Sequence, residues 1–343
     1  MRNRINIYCD SAFWMDYFDD ELVALRDRNR CKAWVCFFDF SRNNNVFINL
    51  AKTDVDENTC GGRAIDELLR ATGGAGIHFI PDRFPMIESL GNGNDDNLNS
   101  IFLTTKPKSE CEELSQRLGV LVMNKEMVYR ASHLFKDNGR AFQRQIMPNW
   151  EYLYEYSESI PSINYCNSLI IVDRYLFSTH NHSNVHDNNL KPIFNALLPK
   201  QLCDGIVFNI IIFSNISNPD FYDGSDDIKG IIDEIRPNLN YSLKVIDNRK
   251  LHDRVIITNN IMLSCGAGFD VIGNDGYPIK FTTTSLSFPF LIGQESSRTA
   301  YLSWIHTVLN ECRRNFGSFD VTTHRLLNHY YEPPRSKSYF IRR

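Results

Sequence analysis

Between residues 101 and 135 the hydrophobic pattern changes period three times. Residues 101–104 are apolar and β-prone, 110–118 carry apolar residues at helical spacing, 119–123 are apolar again, and 125–135 return to a helical pattern. Two short strands with a helix between them pair only in parallel, the helix crossing over the sheet. That unit commits the chain to an α/β fold and excludes an all-helical bundle or an all-β sandwich.

The flanking sequence extends the pattern. Upstream, 5–9 reads as a strand, 20–30 as a helix, and 33–40 and 46–50 as strands joined by a hairpin-like turn at Arg42, Asn43, Asn44 and Asn45. Residues 64–71 read as a helix, the glycine-rich 73–76 as a turn, and 77–80 as a strand. No Lys-Ser/Thr follows those glycines, so a phosphate loop is not expected there. The polar stretch 91–99 reads as an exposed loop. Downstream, strands are expected at 168–173, 206–213, 241–245, 254–258, 261–265 and 281–287. Helices are expected at 190–198 and 226–235, and a closing helix has Tyr301, Trp304, Ile305, Val308, Leu309 and Cys312 on its apolar side.

With 343 residues the chain exceeds what one hydrophobic core usually organises. The aromatic segment holding Trp150, Tyr152, Tyr154, Tyr156 and Pro161 reads as a connector, 149–164. It would join an α/β domain, 1–148, to a second α/β domain, 165–343, with a mixed sheet flanked by helices. The chain ends in a basic tail with Arg335, Lys337, Arg342 and Arg343.

Charge narrows the function classes. Lys plus Arg total 37 against 41 acidic residues, so no overall basic field exists to grip nucleic acid and any anion site must be local. No apolar run approaches the roughly 20 residues of a membrane span, and the start shows no signal-peptide core. The nine cysteines are scattered without a C-x-x-C pair, which points to reduced thiols in a cytoplasmic protein.

One segment carries chemistry. In 251–270, His252 is followed by Arg254, Asn259, Gly266, Gly268 and Asp270. On a strand, positions i and i+2 face the same side, so His252 and Arg254 would share a pocket. An imidazole beside a fixed guanidinium seeks anions. Glycine at 266 permits close approach of a ligand or another strand.

This spacing resembles the signature of the phospholipase D superfamily, with Arg254 where that family has lysine, Asn259 where it has aspartate, and Ala267 where a serine is usual. A closer resemblance is to the phospholipase-D-like C-terminal domain of microtubule-interacting-and-trafficking (MIT) proteins and its bacterial relatives. It rests on H-D-R followed by G-x-G-F-D, on Asp173 and Tyr175 after the domain's first strand, on Asn189 and Leu190 opening a helix, and on the Thr-rich run 282–287, over residues 165 to 295. The resemblance implies phosphodiester recognition or nuclease-like cleavage in a microbial defence or conflict system. His252 would contact or attack phosphorus, Arg254 would hold its oxygens, Asn259 would position the imidazole, and Asp173 would line the cleft with Gly266, Gly268 and Asp270. The ligand would be a nucleic acid, a nucleotide or a lipid head group, and no cofactor is implied. One motif per chain implies a homodimer if cleavage occurs. Asn259 in place of an acid favours a non-enzymatic module that binds phosphate or a protein partner.

A third expectation places metal-dependent nuclease chemistry in the first domain, which weakly resembles PIN-like nucleases. Asp10 ends the first strand there, and Glu67 and Asp95 are further candidate ligands. His180, His182 and His186 form a histidine-dense loop whose spacing matches no defined zinc pattern.

Overall fold

The computed structural model describes residues 5–19, 27–81, 100–136, 140–145, 150, 153, 165–178, 184–217, 219–248, 251–279, 282–288, 303 and 307. These build an α/β fold with two sheets flanked by helices. The first sheet contains β1 (Asn6–Cys9), β2 (Asn45–Ile48), β3 (Ile77–Phe79), β4 (Ile101–Leu103) and β5 (Leu121–Met123), in the order β3-β2-β1-β4-β5. All neighbours are parallel because helices make the crossings. α1 (Ser11–Phe18) and α2 (Arg28–Arg42) lie between β1 and β2, α3 (Cys60–Thr72) between β2 and β3, and α4 (Lys108–Leu118) between β4 and β5; α5 (Lys125–Lys136) follows. The strand–helix–strand–helix unit of 101–135 forms as expected.

Two expectations in this half are corrected. Residues 33–40 are not a strand but the body of α2. Ala33, Phe37 and Phe40 are buried at spacings of four and three, whereas Val35 is 57% exposed. That is helical periodicity in an apolar run dense enough to imitate a strand. Nor does 42–45 close a hairpin, for it links α2 to a parallel strand. The buried Asn44 accepts from the Ile5 N–H at 3.0 Å and donates to the Phe40 carbonyl at 2.8 Å, fastening the helix end to the start of β1. Of the expected helix 20–30, residues 20–26 lie outside the described residues.

The second sheet has seven strands: β6 (Arg140–Gln145), β7 (Ser168–Val172), β8 (Phe208–Ser214), β9 (Tyr241–Asp247), β10 (Val255–Thr258), β11 (Met262–Cys265) and β12 (Thr283–Ser287). Their order is β6-β12-β11-β10-β7-β8-β9. β7, β8 and β9 are parallel, bridged by α6 (Asn184–Leu197) and α7 (Ser225–Ile235). β10 runs antiparallel beside β7 and begins an antiparallel meander. The central strands β7, β8 and β10 are buried at every residue, as continuous apolar runs covered on both faces must be. At the edge, β9 alternates half-buried and exposed residues from Tyr241 to Val245 and buries only Ile246.

β6 has no counterpart in the sequence reading. It lies upstream of the expected connector yet pairs with β12, so the change of sheet falls before Arg140. Within 149–164, Trp150 and Leu153 are fully buried, and Trp150 Nε1 donates to Asn189 Oδ1 at 3.1 Å. Tyr152, Tyr154 and Tyr156 lie outside the described residues, as do the apolar side of the closing helix and the basic tail. The buried residues of both sheets form one continuous apolar cluster. Polar links cross between them: Asn167 Nδ2 donates to the Gly119 carbonyl at 3.0 Å, and the Cys203 N–H to the Arg117 carbonyl at 2.7 Å. No disulfide forms among the described cysteines. Among the described residues no helix is long and apolar enough to cross a membrane.

Candidate functional site

Topology alone selects one edge of the second sheet. β7, β8 and β9 end at Val172, Ser214 and Asp247, and the antiparallel β10 begins at Val255, so all four meet the same edge. The chain places β8 and β9 on one side of β7 and then β10 on the other. Such a reversal opens a crevice beyond the strand ends, where α/β folds hold their ligands.

A buried carboxylate frames this crevice. Asp173 follows β7 and is fully buried. Its Oδ1 accepts from the Tyr175 N–H at 3.0 Å and its Oδ2 from the Phe269 N–H at 2.8 Å, so one side chain ties the loop after β7 to the loop after β11. Burial pushes its carboxyl up to about 6, with the nearby Asp270 adding to the rise and the two N–H donors and Arg254 opposing it. Gly268 makes this arrangement possible. It has φ +98°, and a Cβ there would lie 2.8 Å from Asp173 Oδ2 and 2.9 Å from Asp270 Oδ1. On the third side Asn248, which follows β9, exchanges hydrogen bonds with the Leu251 backbone just before His252.

Within this frame the cations converge on one ring. Arg174 and Arg254 place their guanidinium carbons 5.6 and 5.5 Å from the centroid of Tyr175, and the His252 ring lies 6.4 Å from it. Arg174 Nη1 sits 3.2 Å from His252 Nε2. A guanidinium can only donate, so Nε2 is the acceptor and the ring proton belongs on Nδ1. Arg254 Nη1 donates to the Gly266 carbonyl at 2.6 Å. The Nε atoms of both arginines are buried and have no hydrogen-bond partner among the described residues. Two buried Nε–H donors without partners among the described residues, two guanidinium groups and an exposed imidazole thus lie together, a chemistry suited to anions.

The structure therefore gathers His252, Arg254, Asp173, Gly266, Gly268 and Asp270 at one edge, although His252 and Arg254 precede β10 and are not part of it. Asn259 is the exception. It lies past the far end of β10, so the strand alone puts more than about 13 Å between it and the site. Its Oδ1 accepts from the N–H groups of Asn167 and Ser168 at 2.9 and 3.1 Å, and its Nδ2 donates to Asn167 Oδ1 at 3.2 Å. Asn259 therefore caps the start of β7 and does not position the imidazole. Sequence reasoning also passed over Arg174, although a cation immediately after Asp173 at the end of an apolar run was a readable signal.

The other candidates are dispersed. Asp10 ends β1 as expected, and burial raises its carboxyl while the Thr104 hydroxyl and Lys106 hold it down. Glu67 is exposed on α3, and Asp95 lies outside the described residues. Among the described residues no group of three or more His, Cys, Asp or Glu is placed to hold a metal ion. His180 and His182 also lie outside them. His186 is buried, its Nε2 3.0 Å from the Tyr222 hydroxyl, and burial holds its imidazole below the ordinary range. Gly73, the expected turn, ends α3 in a left-handed conformation. No protein-family model matches this chain, and no curated protein matches it in sequence.

Proposed function

We propose that the chain recognises a phosphate-bearing ligand at the β7–β10 edge. Arg174 and Arg254 hold the phosphate oxygens, and His252 faces the phosphorus. The observation that carries this reading is the pair of buried arginine Nε donors without partners among the described residues, packed on one tyrosine beside an exposed histidine. A buried unmet donor costs about 1–3 kcal/mol, a penalty that a bound anion would remove.

Two features favour recognition over cleavage. The lone pair that His252 would use as a nucleophile already accepts from Arg174. Asn259 neither carries a negative charge nor lies beside the imidazole. Cleavage is the second reading, favoured by the exposure of His252 and by the resemblance of the 252–270 spacing to the phospholipase D signature. The microbial defence setting and a homodimer joining two motifs follow from that resemblance and belong to this proposal.

Calorimetric titration with dimethyl phosphate and inorganic phosphate tests the reading. Binding that Arg254→Ala weakens about ten- to hundredfold supports it, and equal affinity in the variant and the parent chain overturns it. Labelled DNA and RNA, incubated with and without EDTA, separate the chemistries. Metal-independent cleavage lost in His252→Ala would establish the second reading, and EDTA-sensitive cleavage lost in Asp10→Ala would move the chemistry to the first sheet.

A further inference from the structure

The same edge holds an unmet acceptor as well as unmet donors. Asn215 follows β8, is 3% exposed, and its Oδ1 is buried without a hydrogen-bond partner among the described residues. It sits directly beside the arginine of the site, its N–H donating to the Arg174 carbonyl at 3.1 Å. Ser214 Oγ donates to the same carbonyl at 3.4 Å, and Asp247 Oδ1 accepts from the Ile216 N–H at 3.1 Å, so the backbone on both sides of Asn215 is held. A carboxamide oxygen fixed in this way waits for a donor.

A fully ionised phosphate ester offers only acceptors. It would satisfy Arg174 and Arg254 and leave Asn215 as it is. Resting on the phosphate-binding reading above, we infer that the ligand is a phosphate ester bearing a hydroxyl close to the ester bond, with Asn215 Oδ1 accepting from that hydroxyl. Ribonucleotides and phosphorylated polyols share this chemistry, whereas deoxyribonucleotides carrying the phosphate at the 3′ position lack the neighbouring 2′-hydroxyl. Asn215 is then a specificity-determining residue and the arginines supply the affinity.

The test uses two pairs of probes that differ only in hydroxyl content: adenosine 3′-monophosphate with its 2′-deoxy analogue, and glycerol 3-phosphate with propyl phosphate. Titrations at pH 8, where the second phosphate proton is gone, prevent a P–OH group from standing in for the hydroxyl. The parent chain should favour the hydroxyl-bearing member by about tenfold, the effect of one hydrogen bond to a buried acceptor. Preference within the first pair alone would assign a ribonucleotide, and preference within the second alone a polyol phosphate. Asn215→Ala keeps the backbone N–H and should abolish the preference while leaving 2′-deoxyadenosine 3′-monophosphate and propyl phosphate as tightly bound as before. Equal binding within both pairs by the parent chain, or a preference that survives Asn215→Ala, overturns the inference while the phosphate site stands. Failure of all four probes to bind removes the site and this inference together.

Discussion

In each run of parallel strands the first strand is followed by an aspartate, and the two carboxylates do different work. Asp10 follows β1 and Asp173 follows β7, each at the edge where parallel strands finish, and burial raises both. Asp10 has a threonine hydroxyl and a lysine for neighbours. Asp173 is spent on two backbone N–H groups and so becomes a brace between loops, with two arginines and a histidine supported in front of it. A strand-end carboxylate therefore does not by itself define a metal site. Its role follows from the donors that reach it first.

The largest separation between the two regions should come from paired glycine substitutions. Gly73 and Gly268 both have positive φ, but a Cβ on Gly73 meets open space whereas one on Gly268 meets Asp173 and Asp270. Gly268→Ala should lower stability by about 3 kcal/mol and Gly73→Ala by about 1 kcal/mol in urea unfolding. Equal losses would show that the brace is not tightly packed.

Next in size is the contrast between cations. Arg174→Ala should weaken dimethyl phosphate binding by about ten- to hundredfold, while Lys106→Ala beside Asp10 should leave it unchanged. Equal effects would erase the distinction between the two edges.

The brace should also respond to pH. Asp173 titrates near 6 in the folded chain, and an unfolded aspartate titrates at about 3.9. The folded state therefore takes up this proton first, and stability from this group rises as pH falls through 6 towards 4. Parent-chain stability relative to Asp173→Asn should increase by about 2 kcal/mol between pH 7 and pH 4.5. Parallel pH profiles would show that the carboxylate is not held as described.

The smallest expected effect is that of Asn259→Asp, which introduces the residue type that the phospholipase D pattern has at this spacing. It keeps the acceptor for Asn167 and Ser168 but loses the donor to Asn167 Oδ1. The cost should be about 1 kcal/mol, with phosphate binding unchanged and no cleavage gained. A gain in cleavage would place Asn259 back in the chemistry.

The fold was legible wherever periodicity and burial agreed. The 101–135 unit and the buried runs of β7, β8 and β10 were readable because strands covered on both faces must be continuously apolar. The segment 33–40 misled because Trp34, Val35 and Cys36 fill the gaps in a helical stripe. β6, with the sequence RAFQRQ, offered no apolar run, and its place depends on β12 far along the chain. The structure brings the expected His252, Arg254 and Asp173 to one edge but puts Asn259 past the other end of β10, since one-dimensional spacing does not show where a strand begins and ends. Arg174 was readable as a cation after Asp173 at the end of an apolar run, whereas Asn215 could be recognised only once the order of β8, β7 and β10 was known.

The central claim is that the two buried arginine Nε–H groups donate to phosphate oxygens. It is tested most directly by following the Arg174 and Arg254 Nε–H resonances in nitrogen-15 correlation spectra during titration with dimethyl phosphate. Both should move downfield together and saturate with the calorimetric affinity. Saturable binding with both resonances unmoved would contradict the account.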